Sequence, residues 1–145
     1  MSNKVSTPIP VSRCDHIALA VPDLEAALDL FSDTFGLVPG APKDVPAQGI
    51  RIAYVELGNV KLELMEAVDP GSPVGKFLKA RPAGGLHHIC LETKDARRAH
   101  RDADAAGLSP IGDVMPGHHG RDLFFLSPKD TLGTLIEVES EEAKR

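Results

Sequence analysis

The sequence predicts an α+β fold built from two tandem strand–helix–strand–strand–strand modules. Three observations carry this reading: a self-similarity along the chain, a period-two alternation of apolar residues at both ends of each copy, and an acidic helix cap followed by helically spaced apolar residues. The self-similarity appears when "DHIALAVPDLEAALDLFSDTFGL" (15–37) is set beside "HHICLETKDARRAHRDADAAGL" (87–108). His16 falls on His88 and Asp23 on Asp95, both 72 residues on (88 − 16 and 95 − 23), and Gly36 falls on Gly107 one residue short of that spacing.

The first strand follows from alternation, with Ile17, Leu19 and Val21 on one face and His16, Ala18 and Ala20 on the other. Asp23 then has the character of a helix N-cap. Leu24, Ala27, Leu28 and Phe31 follow at helical spacing, and Gly36 suits the left-handed residue that ends a helix. A short strand is expected near Gly40. "IRIAYVELGNVKLELMEAV" (50–68) reads as two strands around a Gly58–Asn59 turn. Residues 69–85, "DPGSPVGKFLKARPAGG", form a linker with a short helix from Pro73 to Ala80 and Ser72 as its N-cap.

The second copy repeats this order. A strand over 87–93 leads to the Asp95 cap, a helix and Gly107, then to a short strand near Ile111. "DLFFLSPKDTLGTLIEVES" (122–140) reads as two strands around a longer turn from Ser127 to Gly133. The expected boundaries are module one over about 13–68, the linker over 69–85 and module two over about 86–140, all in one domain spanning 1–145.

Composition limits the function classes. The chain has 145 residues, 42% of them hydrophobic and 26% charged, which is the balance of a globular domain with a real core. A net charge of −5 without a basic block argues against a nucleic-acid partner. No run approaches the roughly 18 apolar residues of a membrane helix. The start, "MSNKVSTPIPVSR", has no apolar signal core and reads as an untied terminus, while "EEAKR" at the end reads as a solvated tail. Cys14 and Cys90 give no disulfide framework, so a reduced, cytoplasmic chain is expected, or one in the mitochondrial matrix if the source is eukaryotic.

The repeat also pairs chemistry. Aligning the last strands sets Glu63 on Glu137 beside the pairing of His16 with His88. One His or one Glu on an alternating strand is ordinarily a rim or solvent-face residue. Two His and two Glu at equivalent positions are harder to dismiss, and His with carboxylate ligands suits a divalent ion such as Zn, Co, Ni, Mn or Fe. Period-two geometry puts His88, not His87, on the face of Cys90. His87 then faces the other way, as a structural residue or one that touches the surroundings of the ligands, and the cysteines are small buried fillers.

"DHIALAVPDLEAAL", "QGIRIAYVELGNVKLELMEAVDPGSPVGKFLKARPAGGLHHICLET" and "FLSPKDTLGTLIEVE" together resemble the vicinal oxygen chelate (glyoxalase/bleomycin resistance/dioxygenase) superfamily, and within it the methylmalonyl-CoA epimerase family. The resemblance runs from about Arg13 to Glu139, and "SPVGKFL" leading into "GGLHHI" is its most specific part. It implies two βαβββ modules forming a cupped mixed sheet with flanking helices around one divalent metal (Co, Zn, Ni or Mn). The ligands would be His16, Glu63, His88 and Glu137. It implies inversion of the α-carbon of methylmalonyl-CoA through a metal-stabilised enolate, and a homodimer.

Several members of that family carry a glutamate where this chain has Ile52, so the resemblance moves proton transfer elsewhere: to Glu137 first, then to Glu63 or His119. Substrate contacts are expected from Gln48, Ser72, Lys76 and His118, with Lys79, Arg81, Arg51 and Lys129 as further cations for an anionic CoA. Two other readings share the fold. They are a glyoxalase I-type lactoylglutathione lyase, against which the linker helix argues, and a non-catalytic small-molecule-binding protein, against which the four ligands argue.

Overall fold

The computed structural model of the chain describes residues 8–142; "MSNKVST" and the last three residues of "EEAKR" lie outside them. Eight strands and three helices occur in the order β1 (Arg13–Ala20), α1 (Leu24–Asp33), β2 (Lys43–Val45), β3 (Ile50–Glu56), β4 (Lys61–Ala67), α2 (Pro73–Ala80), β5 (Gly85–Thr93), α3 (Ala96–Ala105), β6 (Pro110–Pro116), β7 (Asp122–Leu126) and β8 (Ile136–Ser140). Short 3-10 turns cover Pro46–Gln48 and Pro128–Asp130. The α+β class and the repeated βαβββ order are as the sequence predicts.

The chain folds as two compact units, residues 16–87 and residues 8–15 with 88–142. In the first the strands run β2-β3-β4-β1, and in the second β5-β8-β7-β6. The order is the same in both. The first strand of each repeat lies parallel to its last, and the remaining pairs are antiparallel. A mixed sheet results because the helix between the first two strands carries the chain across before the hairpin returns it.

Local chemistry sets the element ends. Asp23 accepts the Ala26 N–H, and Asp95 accepts the N–H groups of Arg97 and Arg98, so each helix starts on its carboxylate cap. The Leu57 N–H donates to the Val60 carbonyl, closing the two-residue Gly58–Asn59 turn. The Gly40 N–H reaches the Tyr54 carbonyl, but Pro42 has no N–H to continue the ladder, so regular pairing of β2 begins only at Lys43. This places the strand three residues beyond the expected Gly40. The second turn is longer because it holds a 3-10 turn whose Asp130 carboxylate accepts the Ser109 N–H at 2.6 Å. It ends at Leu132, fully exposed with φ of +62°.

Three apolar clusters follow. Helix α1 packs Leu24, Ala27, Leu28 and Phe31 on Leu19, Val55, Leu62 and Leu64, the apolar face predicted from alternation. Fully burying Leu24 is worth about 2 kcal/mol. Helix α3 packs Ala96, Ala99 and Ala103 on Phe124, Leu126 and Val138 in the same way. Helix α2 packs on the opposite face. Its Val74, Phe77 and Leu78 pack with Ala18, Ala20, Ile52 and Met65, which share the His16 face of their strands.

Candidate metal centre

In residues 16–87 the parallel register of β1 and β4 sets Ala18 opposite Glu63, so His16 stands one step from that carboxylate on the same face. His16 and Glu63 are 3% and 7% exposed, and His16 Nε2 lies 3.8 Å from Glu63 Oε1. On the other side of β4, Tyr54 faces Glu63 across the antiparallel pair, and its hydroxyl donates to Glu63 Oε2 at 2.8 Å. One step further along the strands the layer is apolar: Ala20, Ile52 and Met65, closed by α2. The approach to β5 is tight, since a Cβ on Gly84 would meet the Ala20 carbonyl and its φ is +84°.

The other unit repeats the geometry. Cys90 is opposite Glu137 in the β5–β8 register, as Ala18 is opposite Glu63. His88 is 3% exposed, and its Nε2 lies 2.9 Å from Glu137 Oε1. Phe125 pairs with Glu137 across β7–β8, as Tyr54 does with Glu63, and its ring stands edge-on to the His88 imidazole at 5.5 Å. The His doublet separates as period-two geometry requires. His88 is buried toward Glu137, whereas His87 is half-buried with its ring edge against Phe77.

The next layer of this unit is charged where the first unit is apolar. Glu92 and Glu139 pair across β5–β8 at the positions equivalent to Ala20 and Met65. Glu139 has no exposure; Arg121 Nη2 lies 2.8 Å and His119 Nε2 2.6 Å from its Oε1, and the Cys90 thiol donates to its Oε2 at 3.0 Å. Arg121 Nη1 also reaches Glu92 at 3.6 Å. His119 Nδ1 accepts the Arg121 N–H, so the ring proton sits on Nε2. Burial, then the charges of Glu137 and Glu139, push the Cys90 thiol far up. Burial and the Asp15 carboxylate raise Glu92, against the lowering effect of Arg13 and Arg121.

Donor atoms of Asp15, Cys90 and Glu139 also lie within 4.8 Å of one another. In that cluster Arg121 already lies 2.8 Å from Glu139, which argues against a cation there. The His–Glu pairs are different. Each is buried, aims an imidazole Nε2 at a carboxylate and keeps the two donor atoms at 3.8 Å or 2.9 Å. Two ligands at about 2.1 Å from one ion stand about that far apart. The donor set therefore fits a divalent ion.

The remaining predicted residues fall in varied places. Ser72 is buried, and its hydroxyl accepts the Gly75 N–H as the cap of α2. Gln48 is exposed in the first 3-10 turn, and Lys76 is exposed on α2. His118 is half-buried beside His119, the two rings 5.0 Å apart. Tyr54, Glu92, Glu139 and Arg121 were not singled out in the sequence, although period-two alternation places Glu139 on the face of Glu137 and Glu92 on the face of His88.

The sequence profile of the glyoxalase/bleomycin resistance protein/dioxygenase superfamily matches residues 15–125. The chain belongs to this superfamily. Its relatives point to one branch. It is 43% identical over 131 residues to the ethylmalonyl-CoA/methylmalonyl-CoA epimerase of Cereibacter sphaeroides, covering 89% of this chain and 98% of that one. It is 36% identical over 130 residues to the human mitochondrial methylmalonyl-CoA epimerase, covering 89% and 74%. A Streptomyces coelicolor methylmalonyl-CoA epimerase solved with 2-nitronate-propionyl-CoA superposes with a TM-score of 0.83 at 31% identity, covering 92% of this chain and all of that one.

Proposed function

We propose that this protein is a methylmalonyl-CoA epimerase that inverts the α-carbon between the 2R and 2S forms. The observation that carries the reading is the pair of buried His–Glu contacts, His16–Glu63 and His88–Glu137, at equivalent registers in a chain whose relatives over nearly its whole length are epimerases of this substrate. We assign these four residues as the ligands of one divalent ion, Co, Zn, Ni or Mn.

The hydrogen to be moved lies on a carbon between a thioester carbonyl and a carboxylate. Its removal places negative charge on those oxygens. When bound, the ion supplies the positive charge that meets it. Glu137, whose carboxylate stands 2.9 Å from His88 Nε2, takes the proton. Inversion requires return of a proton from the opposite face, a role for Glu63 or for His119, whose ring proton is on Nε2. The exposed Lys76 and Gln48, with His118 and Ser72, are assigned to the acyl-CoA. A homodimer in the cytoplasm, or in the matrix as for the relatives named mitochondrial, completes the proposal. No helix among the described residues is long and apolar enough to cross a membrane.

The test is exchange of the α-proton. Metal-loaded protein given (2R)-methylmalonyl-CoA in deuterated water should incorporate deuterium and produce the 2S form. A metal-loaded protein without exchange refutes the reading, and formation of lactoylglutathione from methylglyoxal and glutathione would favour a glyoxalase instead. His88→Ala should lose metal and activity, whereas His87→Ala keeps most of its metal. Equal metal loss in both would overturn the ligand assignment.

A further inference from the structure

The two halves of the proposed centre are equivalent in register but not in chemistry. Tyr54 and Phe125 occupy the same position, each directly opposite the carboxylate of its repeat. Tyr54 donates its hydroxyl hydrogen to Glu63 Oε2 at 2.8 Å, while the other oxygen, Oε1, is the one that faces His16 Nε2 at 3.8 Å. The Tyr54 ring is itself fixed. It packs against the cluster of Ala18, Ile52 and Met65 on one side, and Lys61 Nζ lies 5.1 Å from its centroid. Phe125 offers the same ring without the oxygen, and that ring meets the His88 imidazole edge-on.

We infer that Tyr54 is a positioning residue that commits Glu63 to holding the metal through Oε1, so that the two carboxylates divide the work: Glu63 is the fixed ligand and Glu137 moves the proton. The inference rests on the metal centre proposed above. A glutamate has three side-chain torsions to lose on binding an ion, and a donor already seated on one oxygen removes that freedom in advance. Phe125, at the equivalent position, has no hydroxyl to donate to Glu137. The second proton-transfer role then falls to His119 rather than to Glu63.

The decisive variants are Tyr54→Phe, which deletes one oxygen and keeps the ring, and Phe125→Tyr, which adds that oxygen opposite Glu137. Cobalt(II) affinity is measured on the metal-free whole protein by competition with a chromophoric chelator, and kcat is measured at saturating cobalt. Tyr54→Phe should weaken cobalt binding about tenfold, with kcat at saturation within about threefold of the parent. Phe125→Tyr should do the reverse, lowering kcat while cobalt affinity holds. Unchanged affinity in Tyr54→Phe overturns the inference, as does a large loss of kcat at saturation with affinity intact, which would make the hydroxyl part of the proton path. If the parent protein itself binds no cobalt, the metal centre fails along with it. If the parent binds and only the Tyr54 result fails, the centre stands and the division of labour does not. The cobalt(II) absorption spectrum gives a readout independent of turnover: its bands should shift in Tyr54→Phe, and a spectrum superimposable on the parent's counts against the inference.

Discussion

Replacing Arg121 with methionine should lower stability by about 3 kcal/mol. Arg121 is the main countercharge of two buried carboxylates, with Nη2 2.8 Å from Glu139 and Nη1 3.6 Å from Glu92. At an effective dielectric near 20, one such contact is worth about 5 kcal/mol before desolvation is counted. The Arg121 side chain is 20% exposed, so water screens part of that, and His119 remains beside Glu139 after the change. Methionine keeps most of the stem's packing and removes the charge, leaving the fully buried Glu139 carboxyl group without its guanidinium. For a chain of this size the loss corresponds to a fall in Tm of about 6–12 °C. The assay is thermal and urea unfolding at pH 7, run beside Glu139→Gln and the double variant. The double variant should be more stable than additivity predicts, because the amide no longer needs the guanidinium. A loss below about 1 kcal/mol in Arg121→Met, or strict additivity in the cycle, would show that the network is not held by this charge.

Other outcomes follow from the same structure. Leu132→Gly should raise stability by about 0.5 kcal/mol, since a leucine at φ of +62° with its side chain fully exposed carries strain without packing in return; a lower Tm would count against this. Asp95→Ala should cost about 1 kcal/mol by leaving the Arg97 and Arg98 N–H groups without their acceptor, read by urea unfolding. Cys90, buried and with its thiol pushed up, should react with a disulfide reagent at least about tenfold more slowly than half-buried Cys14 in the native protein, and equally fast in urea. Glu92 has its pKa raised by folding, so it favours the native state at pH below its unfolded value and loses that contribution as pH rises through the folded value. Glu92→Gln should therefore gain stability relative to the parent at pH 7 compared with pH 4, and a gain that is the same at both would contradict the burial argument.

The repeat made much of this molecule legible in advance. Setting His16 on His88 and Asp23 on Asp95 locates both first strands and both helix caps, because alternation and capping are local and survive in each copy. The same alignment finds Glu63 and Glu137. Tyr54 was within reach too, since a two-residue Gly58–Asn59 turn fixes the hairpin register and so puts residue 54 opposite residue 63. Phe125 was not, because the longer second turn leaves its register open. The charged layer of Glu92 and Glu139 lay on the predicted face, but a glutamate on an alternating strand ordinarily faces water. What buries this pair is Arg121, which stands just before β7 where no periodicity marks it. The placement of α2 on the His16 face likewise depends on tertiary packing that no local pattern encodes.

The parallel pairing of β1 with β4, and of β5 with β8, has a kinetic consequence. Each histidine meets its glutamate across about 50 intervening residues, a loop that must close around a whole helix and hairpin before the two donors are neighbours. Helices α1 and α3 and the tight hairpin can form early from local contacts, whereas each His–Glu pair is among the last features to assemble. Capture of a metal ion during refolding would thus mark the end of the process, and an ion added to the unfolded chain should do little to speed it.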